Sequence, residues 1–104
     1  MAAIHLIERL GNMEPVDAGR KEWESGKWAV SPDTAQKLVG GSIYFHHGQD
    51  KPSYFGGKVI SFLVLPEEHG DMAGRIVFRF VPSIEFKNVR TERKGWGNEK
   101  KIVW

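Results

Sequence analysis

Alternation of apolar and polar side chains predicts strands in the second half of the chain. In "RIVFRFVP" (75–82), Ile76, Phe78 and Phe80 alternate with two arginines and a valine, the period of a sheet with one wet face. "GKVISFLVLP" (57–66) is almost continuously apolar and rich in β-branched residues, which predicts a central strand buried on both faces. Shorter apolar runs predict further strands over 42–47, 83–89 and 101–104.

One helix is well signalled, in "SPDTAQKLVGG" (31–41). Ser31 is a suitable N-cap, Pro32 takes the first helical position, and Asp33 lies where the helix dipole favours negative charge. Lys37 falls in the last turn, and Gly40 is suited to end the helix in a left-handed conformation. The pattern predicts a short helix that leads directly into the next strand.

The first thirty or so residues have a weaker pattern. Residues 4–10 fit a strand or a helical turn, 11–26 read as a loop with a short helix near 18–24, and 27–30 read as a strand. Five to seven short strands with one or two short helices predict a mainly β fold, a single domain over residues 1–104 built as a small barrel. The paired glycines, 40–41 and 56–57, fit bends where a positive φ or a missing Cβ is required.

Composition excludes several kinds of site. The chain has no cysteine, so disulfides, thiol catalysis and cysteine-bound metal sites are excluded. No apolar run approaches the roughly 20 residues of a membrane helix, and the segment "MAAIHLIERLGN" does not resemble a secretory signal. We therefore expect a cytoplasmic protein with no membrane partner.

Charge is distributed unevenly along the chain, although the net charge is only +2. Residues 1–50 hold five Lys/Arg and seven Asp/Glu, whereas residues 51–104 hold ten and six. Most of the excess lies in "KNVRTERKGWGNEKK" (87–101), with six basic side chains, two acidic ones and Trp96. Such a segment concerns partners more than fold, and phosphate groups are the expected partners.

The order of elements over roughly residues 27–82 resembles that of the PUA-like superfamily, which includes the PUA, ASCH, EVE and YTH domains. The residues that carry this resemblance are "SPDTAQKLVGGSIYFHHGQ…PSYFGGKVISFLV…GRIVFRF". A short helix leads through glycine into an apolar strand with an aromatic residue, and a later glycine opens a second long strand. The chain lacks the glycine–lysine signature of ASCH domains and the tryptophan cage of YTH domains. The resemblance implies a small PUA-like β-barrel that binds RNA or modified bases, or, as in a few ASCH-like members, a hydrolase.

The stretch "GGSIYFHHGQDKPSYFGGKV" (40–59) is the main candidate for a ligand site. Alternation along its strand predicts that Ile43 and Phe45 face the core and that Tyr44 and His46 face the other way, because burying an unpaired imidazole is costly. In the loop over 48–57, polar side chains can hydrogen-bond a base on which Tyr54 or Phe55 stacks. Alternatively, these aromatic residues fill the core beneath the loop.

The leading hypothesis is a module that binds nucleic acid, RNA or DNA, and holds a modified or extruded base. It is expected to be a monomer or a weak homodimer and to need no cofactor and no metal. Trp96 then either stacks on a base or packs as a plug on the barrel end. The residues expected to bind the ligand are Tyr44, His46, Gln49, Asp50, Ser53 and Tyr54, and those expected to hold the nucleic-acid backbone are Arg79, Lys87, Arg90, Arg93, Lys94 and Trp96.

Two other classes stay open at this point. A small ASCH-like hydrolase would need a general acid or base, for which Lys58, Asp50 and Glu85 are the nearby candidates. No GxSxG elbow, phosphate-binding loop or dinucleotide motif is present, so no catalytic residue is assigned. The other alternative is a protein-interaction domain with an exposed aromatic patch around Trp23 and Trp28.

Overall fold

The strands of residues 2–104, the part of the chain that the computed structural model describes, form one seven-stranded mixed sheet. Their order across the sheet is β2-β3-β6-β5-β4-β1-β7, and only the neighbours β1 and β4 are parallel. The mainly β class with short helices is thereby confirmed. The strands are β1 (Ala3–Ile7), β2 (Glu14–Asp17), β3 (Glu22–Glu24), β4 (Ser42–His46), β5 (Ser53–Val64), β6 (Ile76–Pro82) and β7 (Lys100–Val103).

The predicted helix is confirmed as α1 (Pro32–Leu38). The Ser31 side chain accepts a hydrogen bond from the Thr34 amide at 3.2 Å, and Gly40 follows the helix with φ +88°. Ala35 and Leu38 are fully buried, so one face of the helix packs on the core. None of the helices in residues 2–104 has the length and apolar composition of a membrane-spanning segment.

A single apolar core lies against one face of the sheet, and the sheet curves around it. Strands β1 and β6 are separated by two other strands, yet both send fully buried side chains into this core. Lys100 Nζ at the β7 edge donates to the backbone oxygen of Ala29, next to the residue that bridges to β6. The sheet is therefore barrel-like in shape, with β2 and β7 as its edges. Its core includes Ile4, Leu6, Ile43, Phe45, Phe78 and Phe80, so the predicted inward faces of β4 and β6 are confirmed.

The helix predicted near 18–24 is wrong, because this region forms the hairpin of β2 and β3. Lys21 sits in the turn with φ +56°, and Trp23 pairs with Phe80 of β6. Pairing with a buried strand outweighs the weak local helix pattern. The strand predicted over 27–30 is reduced to a single bridge between Trp28 and Ile76.

The strand predicted over 83–89 is also wrong. Pro82 ends β6, and residues Ile84–Phe86 form a 3₁₀ turn in which the Phe86 amide donates to Ser83. Ile84 is 83% exposed, so its apolar side chain is not part of a buried strand face. The polar segment that connects β5 to β6 is mostly exposed and contains 3₁₀ turns over Glu67–Met72.

The long strand β5 begins at Ser53, which corrects the prediction that 48–57 is entirely a loop. It is also not buried on both faces, because Ile60, Leu63 and Val64 are exposed on its outer part. The core occupies only one face of the sheet, so the apolar run in the sequence overstates how much of β5 is covered. The face of β5 that points toward the core carries Val59, which is fully buried.

Substituting Gly57 by Val should destabilise the fold by about 3 kcal/mol. The φ angle of Gly57 is not in the left-handed region, but an added Cβ would lie 2.2 Å from the backbone oxygen of Val81 on β6. The strands would have to separate to admit it. Urea denaturation measures the loss, and Gly19→Ala, whose Cβ would meet nothing closer than 3.5 Å, serves as the control. Equal stability of the two variants would contradict the expectation.

Candidate nucleic-acid interface

Six residues from two separate stretches line a concave site, which we call the basic cleft. Three follow β4, and three belong to residues 83–99, which we call the cover segment because it lies over part of the outer face of the sheet. The cleft has a volume of about 220 Å³, and its lining carries three cations and one carboxylate. Positive charge therefore dominates it. The lining residues are Gln49, Asp50, Lys51, Arg90, Thr91 and Arg93.

Hydrogen bonds across the basic cleft hold its two walls together. Arg90 Nη1 donates to the backbone oxygen of Asp50 at 3.4 Å, and Gln49 Nε2 donates to the backbone oxygen of Gly97 at 3.3 Å. The bonded residues are 40 and 48 positions apart in the chain. The structure thus brings together Gln49 and Asp50, predicted to bind the ligand, with Arg90 and Arg93, predicted to hold the backbone.

Ser53 fastens the cover segment to the start of β5. It is 3% exposed, its hydroxyl donates to the backbone oxygen of Phe86 at 2.6 Å, and the same oxygen accepts from the Val89 amide at 2.9 Å. Its backbone amide donates to the backbone oxygen of Val89, and its backbone oxygen accepts from the Asn88 amide. The prediction that Ser53 meets a ligand is therefore corrected, because its polar groups are already used within the protein.

A chain of hydrogen bonds runs from β1 through β4 to the loop that precedes β5. His5 Nδ1 and His46 Nε2 are 2.9 Å apart, and His46 Nδ1 lies 2.8 Å from the backbone oxygen of Lys51. Because a carbonyl oxygen only accepts, we infer that His46 Nδ1 carries the proton, which leaves its Nε2 as the acceptor. His5 Nδ1 must then be the donor to His46. His46 is therefore neutral and fixed in one tautomer, and the Nδ1 proton of His5 points at it.

Aromatic side chains enclose this histidine pair on the outer face of the sheet. The Tyr44 ring stacks on His5 at 4.7 Å between centroids, and Phe86 lies 5.4 Å from Tyr44. The edge of Trp96 from the cover segment meets both His5 and His46, at 6.3 and 5.6 Å. His46 faces away from the main core, as predicted, but it is fully buried and paired. Tyr44 and His46 are thus not an open pocket, and Trp96 packs as a plug.

Burial keeps the histidine pair neutral. Desolvation, together with the charges of His46 and Lys101, lowers the pKa of His5 to about 4. Desolvation also lowers the pKa of His46, against the opposing effect of its bond to Lys51. Lys101 itself is 7% exposed and its ammonium donates to the backbone oxygen of Glu92 in the cover segment. A proton added to the pair would therefore meet a cation in a dry site.

Tyr54 belongs to β5 and packs partly against the core. Its hydroxyl donates to the backbone oxygen of Glu8 at 2.6 Å, and the His47 ring stacks on it at 4.1 Å. Desolvation, with a smaller contribution from the charge of Glu8, raises the pKa of Tyr54 to about 12. A base would have to displace His47 to reach this ring, so the predicted stacking position is occupied.

The remaining predicted cations divide into two groups. Arg79 is held on β6 by Glu22 and Glu24, with N–O distances of 3.5 and 2.7 Å, so it is neutralised and not available to a phosphate. Lys87 and Lys94 are exposed in the cover segment and form no ion pair within residues 2–104. They add positive charge beside the basic cleft without lining it.

The aromatic patch expected around Trp23 and Trp28 does not exist. The Trp23 ring lies 5.0 Å from that of Phe55 and packs against the core, while Trp28 is 9% exposed. This removes the surface on which the protein-interaction alternative depended. Trp28 belongs to the core at the bridge to β6, and Trp23 of the first hairpin packs against that core.

Several residues of the site were not predicted from the sequence. Lys51 and Thr91 line the basic cleft, and His5 anchors the hydrogen-bonded chain. A signal for His5 was present, since it lies between Ile4 and Leu6, and alternation along a strand would have placed it opposite to the core. No group of three or more potential metal ligands occurs among the described residues, 2–104.

Comparison with known proteins does not assign the chain to a family. No family model, no curated protein and no solved structure matches it. The resemblance to the PUA-like superfamily stays a prediction that rests on residues 27–82. Since one fold hosts many functions, the function has to be inferred from the chemistry of the clefts.

Acid should destabilise the protein through the histidine pair. Because both folded-state pKa values lie below the ordinary value of about 6.5, this contribution is complete above pH 6.5 and is lost as the pH falls toward about 4. We expect a loss on the order of 2 kcal/mol over that range. Urea denaturation at a series of pH values measures it.

The variant His5→Asn separates this effect from general acid unfolding. Asparagine can keep an N–H donor toward His46 but does not take up a proton, so its stability should fall less steeply with acid. His69→Asn, in an exposed turn, is the matched control and should retain the wild-type slope. If His5→Asn follows the wild-type curve, the pair does not carry the acid sensitivity.

Proposed function

We propose that the protein is a nucleic-acid-binding module that holds the phosphate backbone of RNA or DNA in the basic cleft. One observation carries the proposal: Lys51, Arg90 and Arg93 converge on one cavity from two distant stretches of chain. None of the three forms an ion pair within residues 2–104, where only Arg20 and Arg79 do so. Unpaired cations gathered in a concave site are suited to bind phosphate.

The size and polarity of the cleft also support a phosphate ligand. A cavity of about 220 Å³ is small for a large organic molecule but adequate for a phosphate or a sugar–phosphate unit. The guanidinium groups offer planar N–H donors, and Thr91 adds a neutral hydroxyl donor beside them. Lys87 and Lys94 extend the positive surface along the cover segment.

Recognition of a modified or extruded base remains part of the proposal through the PUA-like resemblance. The position expected for that base changes, because Tyr44 and His46 are covered and Tyr54 is stacked against His47. Contact with the backbone is what the basic cleft supports best. A base would have to bind elsewhere on the same end of the sheet.

The hydrolase alternative receives no support from its candidate residues. Lys58, Asp50 and Glu85 are all exposed, and none forms an ion pair within residues 2–104. Lys58 lies on β5 and Glu85 in the 3₁₀ turn, outside the basic cleft that Asp50 lines. A general acid or base acts from a cleft beside a charged partner; only Asp50 stands in a cleft, and none of the three has an ion-pair partner within residues 2–104.

Removing the two arginines of the basic cleft should weaken binding to single-stranded oligonucleotides of about ten nucleotides. We expect Arg90→Gln/Arg93→Gln to bind at least about tenfold more weakly at low salt, because two phosphate contacts are lost. The slope of log affinity against log salt should fall in magnitude by about 1.4. Fluorescence anisotropy with RNA and DNA probes of one sequence measures both quantities.

The matched control removes the same charge at other positions. Arg20→Gln/Lys37→Gln changes an exposed arginine near the first hairpin and a lysine in α1, and should bind almost as the wild type does. Equal weakening of both double variants would mean that net charge, not the cleft, determines affinity. Absence of binding by the wild type at low salt would remove the proposed function.

A further inference from the structure

A second cleft opens next to Glu8, which directly follows β1. It has a volume of about 420 Å³ and continues into a hollow of about 690 Å³, with which it shares Asn12, Gly26, Lys27 and Arg75. Because β1 and β4 run parallel, their carboxyl ends lie at one end of the sheet. The Glu8 cleft and the basic cleft are therefore built from neighbouring loops at that end of the sheet.

The Glu8 carboxylate has one oxygen in use and one free. Glu8 is 6% exposed, and its Oε2 accepts a hydrogen bond from the Leu10 amide at 3.0 Å. No group within residues 2–104 donates to Oε1. In those residues, the only side-chain polar atoms that are fully enclosed and have no hydrogen-bond partner are the indole nitrogens of Trp28 and Trp96. Oε1 has no partner and is not one of these enclosed atoms, so it is open to the cleft. A carboxylate oxygen that faces a cleft and has no donor from the protein can accept a hydrogen bond from a ligand.

Gly26 leaves room at this oxygen. A Cβ added there would lie 3.5 Å from Glu8 Oε1 and 3.1 Å from the backbone oxygen of Asn12, so its absence keeps the carboxylate accessible from the side. Trp28 supplies an aromatic wall of the same cleft. Arg9, Lys27 and Arg75 supply three positive charges against the two carboxylates of the lining, Glu8 and Glu99, and none of the three cations forms an ion pair within residues 2–104.

We propose that the Glu8 cleft binds a small molecule that donates an N–H to Glu8 and places an anionic group against Arg75 and Lys27. A nucleoside monophosphate with an exocyclic amino group offers this combination, and a carboxylate is the side chain that accepts from the amino group of cytosine. A free amino acid offers the same pairing of N–H donor and anion. The nucleotide assignment rests on the proposed function, whereas the cleft chemistry does not.

Isothermal titration of the full chain with cytidine monophosphate tests the proposal. In Glu8→Gln the Leu10 amide retains the side-chain oxygen as its acceptor, so the amide NH₂ faces the cleft and opposes a donor. We expect affinity to fall at least about tenfold. The wild type should discriminate similarly against N4,N4-dimethylcytidine monophosphate, which keeps the ring and the phosphate but has no N–H on the amino group.

Two further variants supply a charge control and a second change within the cleft. Glu68→Gln removes an equal charge in an exposed turn and should bind as the wild type does. Gly26→Ala should weaken binding by filling the space beside Oε1, and it serves if Glu8→Gln fails to fold, which thermal denaturation would show. Equal affinity of wild type and both cleft variants would overturn the proposal.

The outcomes separate this proposal from the proposed function. Glycine in place of the nucleotide tests the amino-acid source, and Glu8-dependent binding of glycine alone would support the cleft chemistry but assign an amino acid as its ligand. If neither glycine nor cytidine monophosphate binds while oligonucleotides still bind through Arg90 and Arg93, the Glu8 proposal fails and the proposed function stands. If cytidine monophosphate binds through Glu8 and oligonucleotides do not bind, the proposed function fails and the Glu8 proposal stands.

Discussion

The hydrogen bond from His46 to the Lys51 carbonyl links the scaffold to the candidate site. His46 lies in a parallel pair of strands, and Lys51 forms part of the basic cleft. The His46 ring is fully buried, and a buried imidazole without a partner would cost about 1–3 kcal/mol. His5 completes the chain by donating to His46, and Trp96 packs against both rings. One wall of the cleft is therefore fixed by polar contacts that start in the sheet.

The sequence was sufficient where a residue's environment depends on near neighbours. The cap at Ser31 and the left-handed Gly40 are local, and both were predicted. Alternation in β4 also placed Ile43 and Phe45 correctly in the core. The same reasoning predicted that His46 faces away from the core and is not covered, because burying an imidazole is unfavourable unless it has a partner. That partner, His5, is 41 positions away, and only the pairing of β1 with β4 brings it near.

The candidate site was predicted in its charges and not in its shape. The excess of basic residues over 87–101 identified Arg90 and Arg93, and the polar loop identified Gln49 and Asp50. Their convergence depends on side-chain bonds to distant backbone oxygens, which no local pattern encodes. Glu8 was missed for a related reason. An acidic residue after an ambiguous apolar run gives no sign of burial until the segment after β3, with Gly26, folds against it.

The cover segment differs from the sheet in what holds it. Beyond the 3₁₀ turn it has no regular structure until β7, and its attachments are mainly the bonds to Ser53, Gln49 and Lys101 and the packing of Trp96. Such a unit can open without unfolding the strands, since few of its apolar groups belong to the main core. The wall of the basic cleft that the cover segment supplies is thus held mainly by polar bonds, whereas the wall after β4 is tied directly to the sheet. Residues of the cover segment that shape the ligand site can consequently be exchanged over evolution with less cost to the stability of the sheet than residues of the core.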